Sequence, residues 1–454
     1  TQNFTTTTDS YNTGVGAQAG RYVTTGKFNT LLGSLAGDAL TSADSNLAIG
    51  YVALTSDTLG ERSIAIGEGA LYAQNFTTET STYNTAIGYN AGYAVTTGIN
   101  NTILGGLAGD SLSDADANTV VGVTALTADT KGDTTVAVGY GALATQNFTT
   151  VTTTRNTAVG TNAGYAATTG TYNTFLGYAA ADANTDADYN VAVGANALTE
   201  DELGSATTAI GYGALQTQDF STATNSFNTA VGYQAGNLLT TADDCTFVGA
   251  GAGDAVTTGR HNACFGTDAG GNITTGAYNT MLGGDTTMAD ATTNNANVIG
   301  FDVAGVTGYT TLGISGSDIR AQNGVATWAT VSDERVKKDI EDSTVGLNFI
   351  NDLRPVTFNY KAKGDIPKEF KGYEKDSTEP YKFSTTNHGF IAQEVKEAID
   401  KHPDIKDGFK FWDVRPTGQQ EVGESALIPM LTKAIQELSK EVDELKNNKC
   451  KCKE

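Results

Sequence analysis

The feature that most constrains this chain is a repeat with two nested periods. The phrase Q-N-F-T-T occurs at Gln2, Gln74 and Gln146, and as Q-D-F-S-T at Gln218, a period of 72 residues. Inside it a shorter phrase, N-T-x-Φ-G-x-x-A with Φ apolar, places glycines at Gly16, Gly33, Gly50, Gly67, Gly88 and onward to Gly300, spaced 17, 17, 17 and 21. Seventeen such glycines occur, and the four extra residues of every fourth unit carry the Q-N-F-T-T phrase. Units this short cannot each enclose a core. They bury apolar surface only by stacking on their neighbours.

The residue before each glycine is bulky and apolar (Val15, Leu32, Ile49, Ile66, Ile87), and the one before that is usually small or apolar (Ala48, Ala65, Ala86, Ala137, Ala158). Neighbouring strand residues face opposite sides, so both faces of this short strand are dry. One face must line the coil and the other must meet something else, most simply another copy of the chain. Alanine recurs three residues after the glycine in fifteen of seventeen units, which implies a tight turn or close backbone approach. The spacing predicts a mainly β fold: a parallel β-solenoid of about 17 coils over residues 1–304, stacked at about 4.8 Å per coil. All six prolines lie beyond residue 331, so nothing in the repeat interrupts a hydrogen-bond ladder. Helical and leucine-rich repeats are excluded by the missing 3.6-residue period and leucine spacing. The N-T-A-I-G and N-T-A-V-G phrases with their following alanine resemble the head repeats of trimeric autotransporter adhesins, which implies three chains wound together.

Charge narrows the partners. Residues 1–331 hold 7 of the 28 basic side chains and 27 of the 51 acidic ones, a surface that repels nucleic acid. No run of apolar residues is long enough to span a membrane, and no leader is visible. The first residue falls in the middle of a repeat phrase, so a region that attaches to other proteins of the same assembly is expected before Thr1. Cys245 and Cys264 occupy unlike repeat positions, and Cys450 and Cys452 sit in a basic tail, so no disulfide framework or metal site is expected.

Two features suggest a ligand surface. Aromatic residues recur five before the glycine (Tyr11, Phe28, Tyr83, Tyr172, Tyr189) and just after it (Tyr51, Tyr89, Tyr140, Tyr178), where their flat faces suit a sugar ring or simply pack as ladders. The insertions are expected to emerge along one edge every fourth coil, making Phe4, Phe76, Phe148 and Phe220 candidate receptor contacts in a multivalent row. The acidic turns at Asp114–Asp116 and Asp182–Asp188 lack a calcium-loop pattern and read as solvated. Gly249–Gly253 precedes no helix and so does not cradle phosphate. The N-x-T matches at Asn3, Asn75 and Asn147 are those expected in any threonine-rich chain. No cofactor is implied.

From Ser332 the composition changes to lysine, proline and helix formers. Residues 305–331, with Gly308, Gly313, Gly316 and Gly324, read as a loose connector. Strand-like runs follow at Val356–Tyr360 and Gly389–Ile391, and a helix at about Ala392–Lys401. Ile428, Leu431, Ile435, Leu438, Val442 and Leu445 are spaced 3, 4, 3, 4, 3, a heptad seam that requires partner helices. Four blocks, S-D-E-R-V-K-K-D-I (Ser332–Ile340), L-R-P-V-T-F-N-Y (Leu353–Tyr360), H-G-F-I-A-Q-E-V (His388–Val395) and A-L-I-P-M-L-T-K-A-I-Q-E-L (Ala426–Leu438), closely resemble the self-cleaving intramolecular chaperone domain. That domain ends phage endosialidase tailspikes and many tail fibres and also occurs in the myelin regulatory factor. The resemblance implies a small α+β domain over 332–423 and a trimeric coiled-coil helix with its tail over 424–454. It further implies that the domain trimerises, templates the fibre before it and cuts itself off. Ser332 is then the nucleophile, Lys337 its base, Asp333 the usual acidic neighbour and His388 a group that orients the scissile carbonyl. The chemistry is coherent, because a serine hydroxyl needs a base and a lysine five residues on supplies one once its charged form is disfavoured.

Near-identical coils offer wrong registers 17 or 72 residues away, so a template at one end answers a physical need. The expected protein is a homotrimeric phage tail fibre or tailspike shaft, made in the host cytoplasm and carried on the virion, that attaches to a host-surface glycan or receptor. Its enzymology is limited to a single-turnover self-cleavage. The alternatives are a polysaccharide-depolymerising tailspike, which needs two carboxylates at defined separation, and a bacterial trimeric adhesin, which would end in a membrane barrel.

Overall fold

The computed structural model describes residues 9–325, 327–330, 332–370, 372–405, 409–415 and 418–451. The chain divides into two compact units, Thr1–Val331 and Ser332–Glu454.

The first unit is a parallel β-solenoid. Three-residue strands, beginning with Thr13–Val15, Thr30–Leu32 and Leu47–Ile49, pair in parallel and in strict register, so that Leu31 faces Ala48 and Leu32 faces Ile49. Equivalent residues thus form columns along the rod. The column two before the glycine (Leu31, Ala48, Ala65, Ile103, Phe175, Phe247) is fully or almost fully buried and forms the coil interior with the alanines three after the glycine. The bulky residue just before the glycine points outward: Leu32, Ile87, Leu176, Ile210, Leu282 and Ile299 are 36–50% exposed. An aliphatic stripe therefore runs the length of the solenoid, far more contiguous apolar surface than a solvated monomer ordinarily shows.

Two columns hold the coils together. The glycines form one. Each adopts φ near +130° to +148°, a region closed to side chains, and each stacks its backbone directly on the next. A Cβ built on Gly105 would lie 2.5 Å from the carbonyl oxygen of Gly122. The buried asparagines form the other. Asn29 Oδ1 accepts the Asn46 amide N–H at 2.9 Å while Asn29 Nδ2 donates to the Ala43 carbonyl at 2.8 Å, and the same pair of bonds recurs through Asn101 and Asn118. Each amide side chain thereby satisfies backbone groups at the corner where the strand ladder stops, groups that would otherwise be buried without partners. Cys245 occupies this column and Cys264 the interior one, both as free thiols. Exposed aromatics stack at the repeat distance, Tyr11 on Phe28 at 5.4 Å and Tyr172 on Tyr189 at 5.1 Å.

The segment expected as a loose connector is largely strand. Tyr309–Ile314 pairs in parallel with Asn297–Phe301, Gly313 against Gly300, which adds a shorter coil and brings the solenoid to about eighteen turns among the described residues. Ser317–Gln322 and Ala329–Thr330 then continue antiparallel. The glycine Gly313 extends the glycine column where its spacing had suggested looseness.

The second unit is small and mixed. Helices α1 (Leu347–Asp352), α2 (Ala392–Asp400) and α3 (Ile428–Lys451) and an antiparallel pair, Val356–Phe358 with Asn387–Gly389, surround a core of Val345, Phe349, Val395, Ala398, Phe411 and Leu427. Pro429 sits in the first turn of α3, where its missing N–H is unused. Glu437 on α3 accepts the Leu347 amide N–H at 2.8 Å, fixing α3 against α1.

The glycine column makes a local test. Gly105→Ala should lower solenoid stability by about 2–4 kcal/mol through a strained φ and a backbone clash. Its neighbour Gly106, whose Cβ would meet nothing within 4 Å, should tolerate alanine within about 0.5 kcal/mol. Thermal melts of the two variants decide it, and equal melting temperatures would contradict the role given to the column.

Candidate active site

The residues expected to face a receptor turn inward. Phe76, Phe148 and Phe220 are only 6–7% exposed, and Phe4 lies outside the described residues. The reason is a buried polar network that the Q-N-F-T-T phrase completes. Asp57 Oδ1 accepts the amide N–H groups of Gly60 and Phe76 at 2.9 and 3.1 Å, and its Oδ2 accepts Gln74 Nε2 at 2.6 Å. Gln74 Oε1 in turn accepts Asn84 Nδ2 at 2.9 Å, joining the asparagine column. The same arrangement recurs at Asp129 with Gln146 and Asp201 with Gln218. The insertion thus pulls its own phenylalanine in by the backbone, while Asn75, Thr77 and Thr78 stay exposed. Sequence reasoning passed over these aspartates, although each stands 17 residues before a glutamine of the Q-N-F-T-T or Q-D-F-S-T phrase.

Burial, opposed by the glutamine and backbone hydrogen bonds, raises the carboxyls of Asp57 and Asp129 and pushes Asp201 up to about 6. A raised carboxyl is the usual mark of a catalytic acid. Here every oxygen is already engaged and the groups are inaccessible, so none of the three is placed to protonate a glycosidic oxygen.

In the second unit the structure brings Ser332 and Lys337 together: Lys337 Nζ donates to Ser332 Oγ at 2.7 Å. A short turn does this. Asp333 caps the single 3-10 turn Glu334–Val336 by accepting the Arg335 N–H at 2.8 Å, and the Lys337 N–H closes it on the Glu334 carbonyl at 3.0 Å. That closure folds residue 337 back over residue 332. The hydrogen bond to Arg335 holds the Asp333 carboxyl below its usual value. Ser332 and Lys337 are both exposed. Val331 lies outside the described residues, so the bond to Ser332 is described on its serine side alone.

Residues 332–403 match a peptidase family model, the chaperone of endosialidase. With about eighteen turns of solenoid before it, this chaperone domain fits a protein of tail-fibre or endosialidase type. No curated protein and no solved structure matches the chain. The match begins at Ser332, the first residue of the second unit.

His388 stands apart from the serine and lysine. It lies exposed on the strand Asn387–Gly389 opposite Thr357, lining a groove of about 460 Å³ with Pro355, Phe390 and Glu424, and no hydrogen bond joins it to Ser332 or Lys337 among the described residues. The heptad residues of α3 are equally unpartnered: Ile428, Leu431, Ile435, Leu438, Val442 and Leu445 are all exposed, Ile435 at 67%, while Leu427, Met430 and Ala434 pack inward or stay half-buried. Cys452 lies outside the described residues, as does the side chain of Cys450. Among the described residues no cluster of potential ligands holds a metal, and no helix is long and apolar enough to cross a membrane.

The buried aspartates carry a pH signature. Because burial raises their carboxyls above the unfolded value, the folded state binds more protons than the unfolded between about pH 4 and 6, and stability falls as pH rises through that window. The solenoid should melt at a higher temperature at pH 5 than at pH 7.5. Replacing Asp57, Asp129 and Asp201 together by Asn should flatten that dependence, and an undiminished slope in the triple variant would contradict the assignment.

Proposed function

We propose that the chain is the shaft of a phage tail fibre or tailspike, trimerised and registered by its C-terminal chaperone, which then removes itself by self-cleavage at Ser332. The observation that carries this reading is the 2.7 Å contact between Lys337 Nζ and Ser332 Oγ at the start of the matched domain. In the proposed step the neutral Lys337 amine takes the Ser332 hydroxyl proton as Oγ attacks the Val331 carbonyl carbon. The C–N bond breaks, its nitrogen recovers the proton from Lys337, and the chain is left as an ester on Ser332 Oγ. Water then hydrolyses that ester, freeing the hydroxyl and a Val331 carboxylate.

A lysine is a base only where burial or nearby positive charge disfavours its ammonium form. In a single chain Ser332 and Lys337 are open to water, so the reading couples cleavage to assembly: partner chains cover the pair as they cover the α3 seam. The aliphatic stripe of the solenoid supports assembly as well, since further copies of the chain are its simplest cover. His388 would act only after such a rearrangement or from a partner chain. Attachment to a host-surface glycan or receptor is assigned to the exposed parts of the recurring loops, Asn75, Thr77 and Thr78 with their equivalents Asn147, Thr149 and Thr150, which return every 72 residues and so favour multivalent contact.

Denaturing gels test this. The wild-type chain should resolve into two fragments divided near Ser332, and Ser332→Ala and Lys337→Ala should each leave one intact chain that still assembles. Leu431→Asp places a charge in the seam and should stop cleavage with the serine and lysine both present. Normal cleavage by a monomeric Leu431→Asp protein would overturn the coupling of assembly to cutting.

A further inference from the structure

We infer that Arg335 is a positioning residue for the Ser332 and Lys337 pair: its guanidinium holds the Asp333 carboxylate, so that among the described residues the hydrogen-bond partner left to the Lys337 amine is the nucleophile. The inference rests on the self-cleavage reading above and adds a residue to it.

The geometry is specific. Asp333 Oδ1 accepts the Arg335 backbone N–H at 2.8 Å and Nε at 2.9 Å, and Oδ2 accepts Nη2 at 2.6 Å and Nε at 3.2 Å. Both carboxylate oxygens are thereby committed within one turn, in the forked arrangement that guanidinium makes and ammonium cannot. Lys337 donates to Ser332 and makes no ion pair among the described residues. The other charged groups of the segment, Glu334, Lys338, Asp339 and Glu341, make no hydrogen bond or ion pair with Lys337 among the described residues.

This division of partners matters because Asp333 adjoins the nucleophile. A free carboxylate there would pair with the lysine that bonds to Ser332, favour the ammonium form and leave the hydroxyl without a base. The effect would grow once the site is covered, because opposite charges attract more strongly away from water. An acidic residue beside Ser332 is useful as the cap that folds Lys337 back, and harmful as a counter-ion to it. Arg335 keeps the first role and suppresses the second.

The test separates charge from shape. In the full chain carrying Ser332→Ala, which removes cleavage, the rate of Lys337 acetylation by acetic anhydride is followed against pH by peptide mass spectrometry. Adding Arg335→Gln should move the midpoint up by about half a pH unit, the size expected for one uncompensated neighbouring charge near the surface. Adding Asp333→Asn to that variant should bring it back. In the cleaving chain, Arg335→Gln should slow cleavage at neutral pH and recover rate at alkaline pH, whereas Arg335→Gln with Asp333→Asn should recover it at neutral pH. Identical midpoints in all three acetylation series, or a cleavage defect that neither alkaline pH nor Asp333→Asn relieves, would overturn the proposal by reducing Arg335 to a structural part of the turn. Cleavage that persists in Ser332→Ala would refute the self-cleavage reading and leave the acetylation midpoints to judge Arg335 separately.

Discussion

Backbone stacked directly on backbone is the constraint from which the solenoid follows. At each glycine of the column no side chain fits between one coil and the next, so the coils approach at strand spacing along a corner as well as along the ladder. That approach leaves corner amides and carbonyls inside the rod, and the asparagine column exists to satisfy them. Every fourth coil replaces asparagine by Ser63, Thr135 or Thr207; there Thr82, Thr154 or Ser226 accepts the next asparagine's N–H, the buried aspartate accepts corner backbone amides, and the glutamine ties that aspartate to the hydroxyl. The 72-residue period is therefore a rule of hydrogen-bond satisfaction, and the insertion is the length of chain needed to deliver the glutamine.

A rod built this way is locally exact and globally ambiguous. Each coil accepts almost any other coil as its neighbour, since Gly, Asn and Ala meet Gly, Asn and Ala at a shift of 17 residues as well as at the native one. The outward aliphatic stripe offers the same ambiguity to any copy of the chain that would cover it. Register has to come from somewhere outside the repeat, and the matched chaperone domain with its exposed α3 seam lies there, beyond the antiparallel strands Ser317–Gln322 and Ala329–Thr330 that follow the last coil. Under the proposed function sequence order acquires a physical meaning: a template that follows the repeat, with its proposed nucleophile at its first residue, would be removable without disturbing the product.

Much of this was legible beforehand. Two apolar neighbours before each glycine implied a strand dry on both sides, and the structure adds that the residue two before the glycine is the inner one, whether small like Ala48 or bulky like Phe175 and Phe247. Phe76 and its equivalents were misplaced because composition marks an insertion but not the pull of Asp57, nineteen residues earlier, on the phenylalanine amide. Residues 305–331 looked loose from their glycines, yet Gly313 continues the column, at a 13-residue step that breaks the period by which the column was recognised. Ser332 and Lys337 were readable as a pair through the resemblance of Ser332–Ile340 to the self-cleaving chaperone domain, not from their five-residue spacing. The role of Arg335 was not, since only the forked contact with Asp333 distinguishes it from an ordinary surface charge.

The central claim is that exposed apolar surface on both units is covered by further copies of the same chain. Analytical ultracentrifugation of the uncleaved Ser332→Ala protein tests it most directly. The account predicts a single species at three times the 47.1 kDa of one chain, unchanged on dilution. A folded, soluble species at the mass of one chain would contradict it.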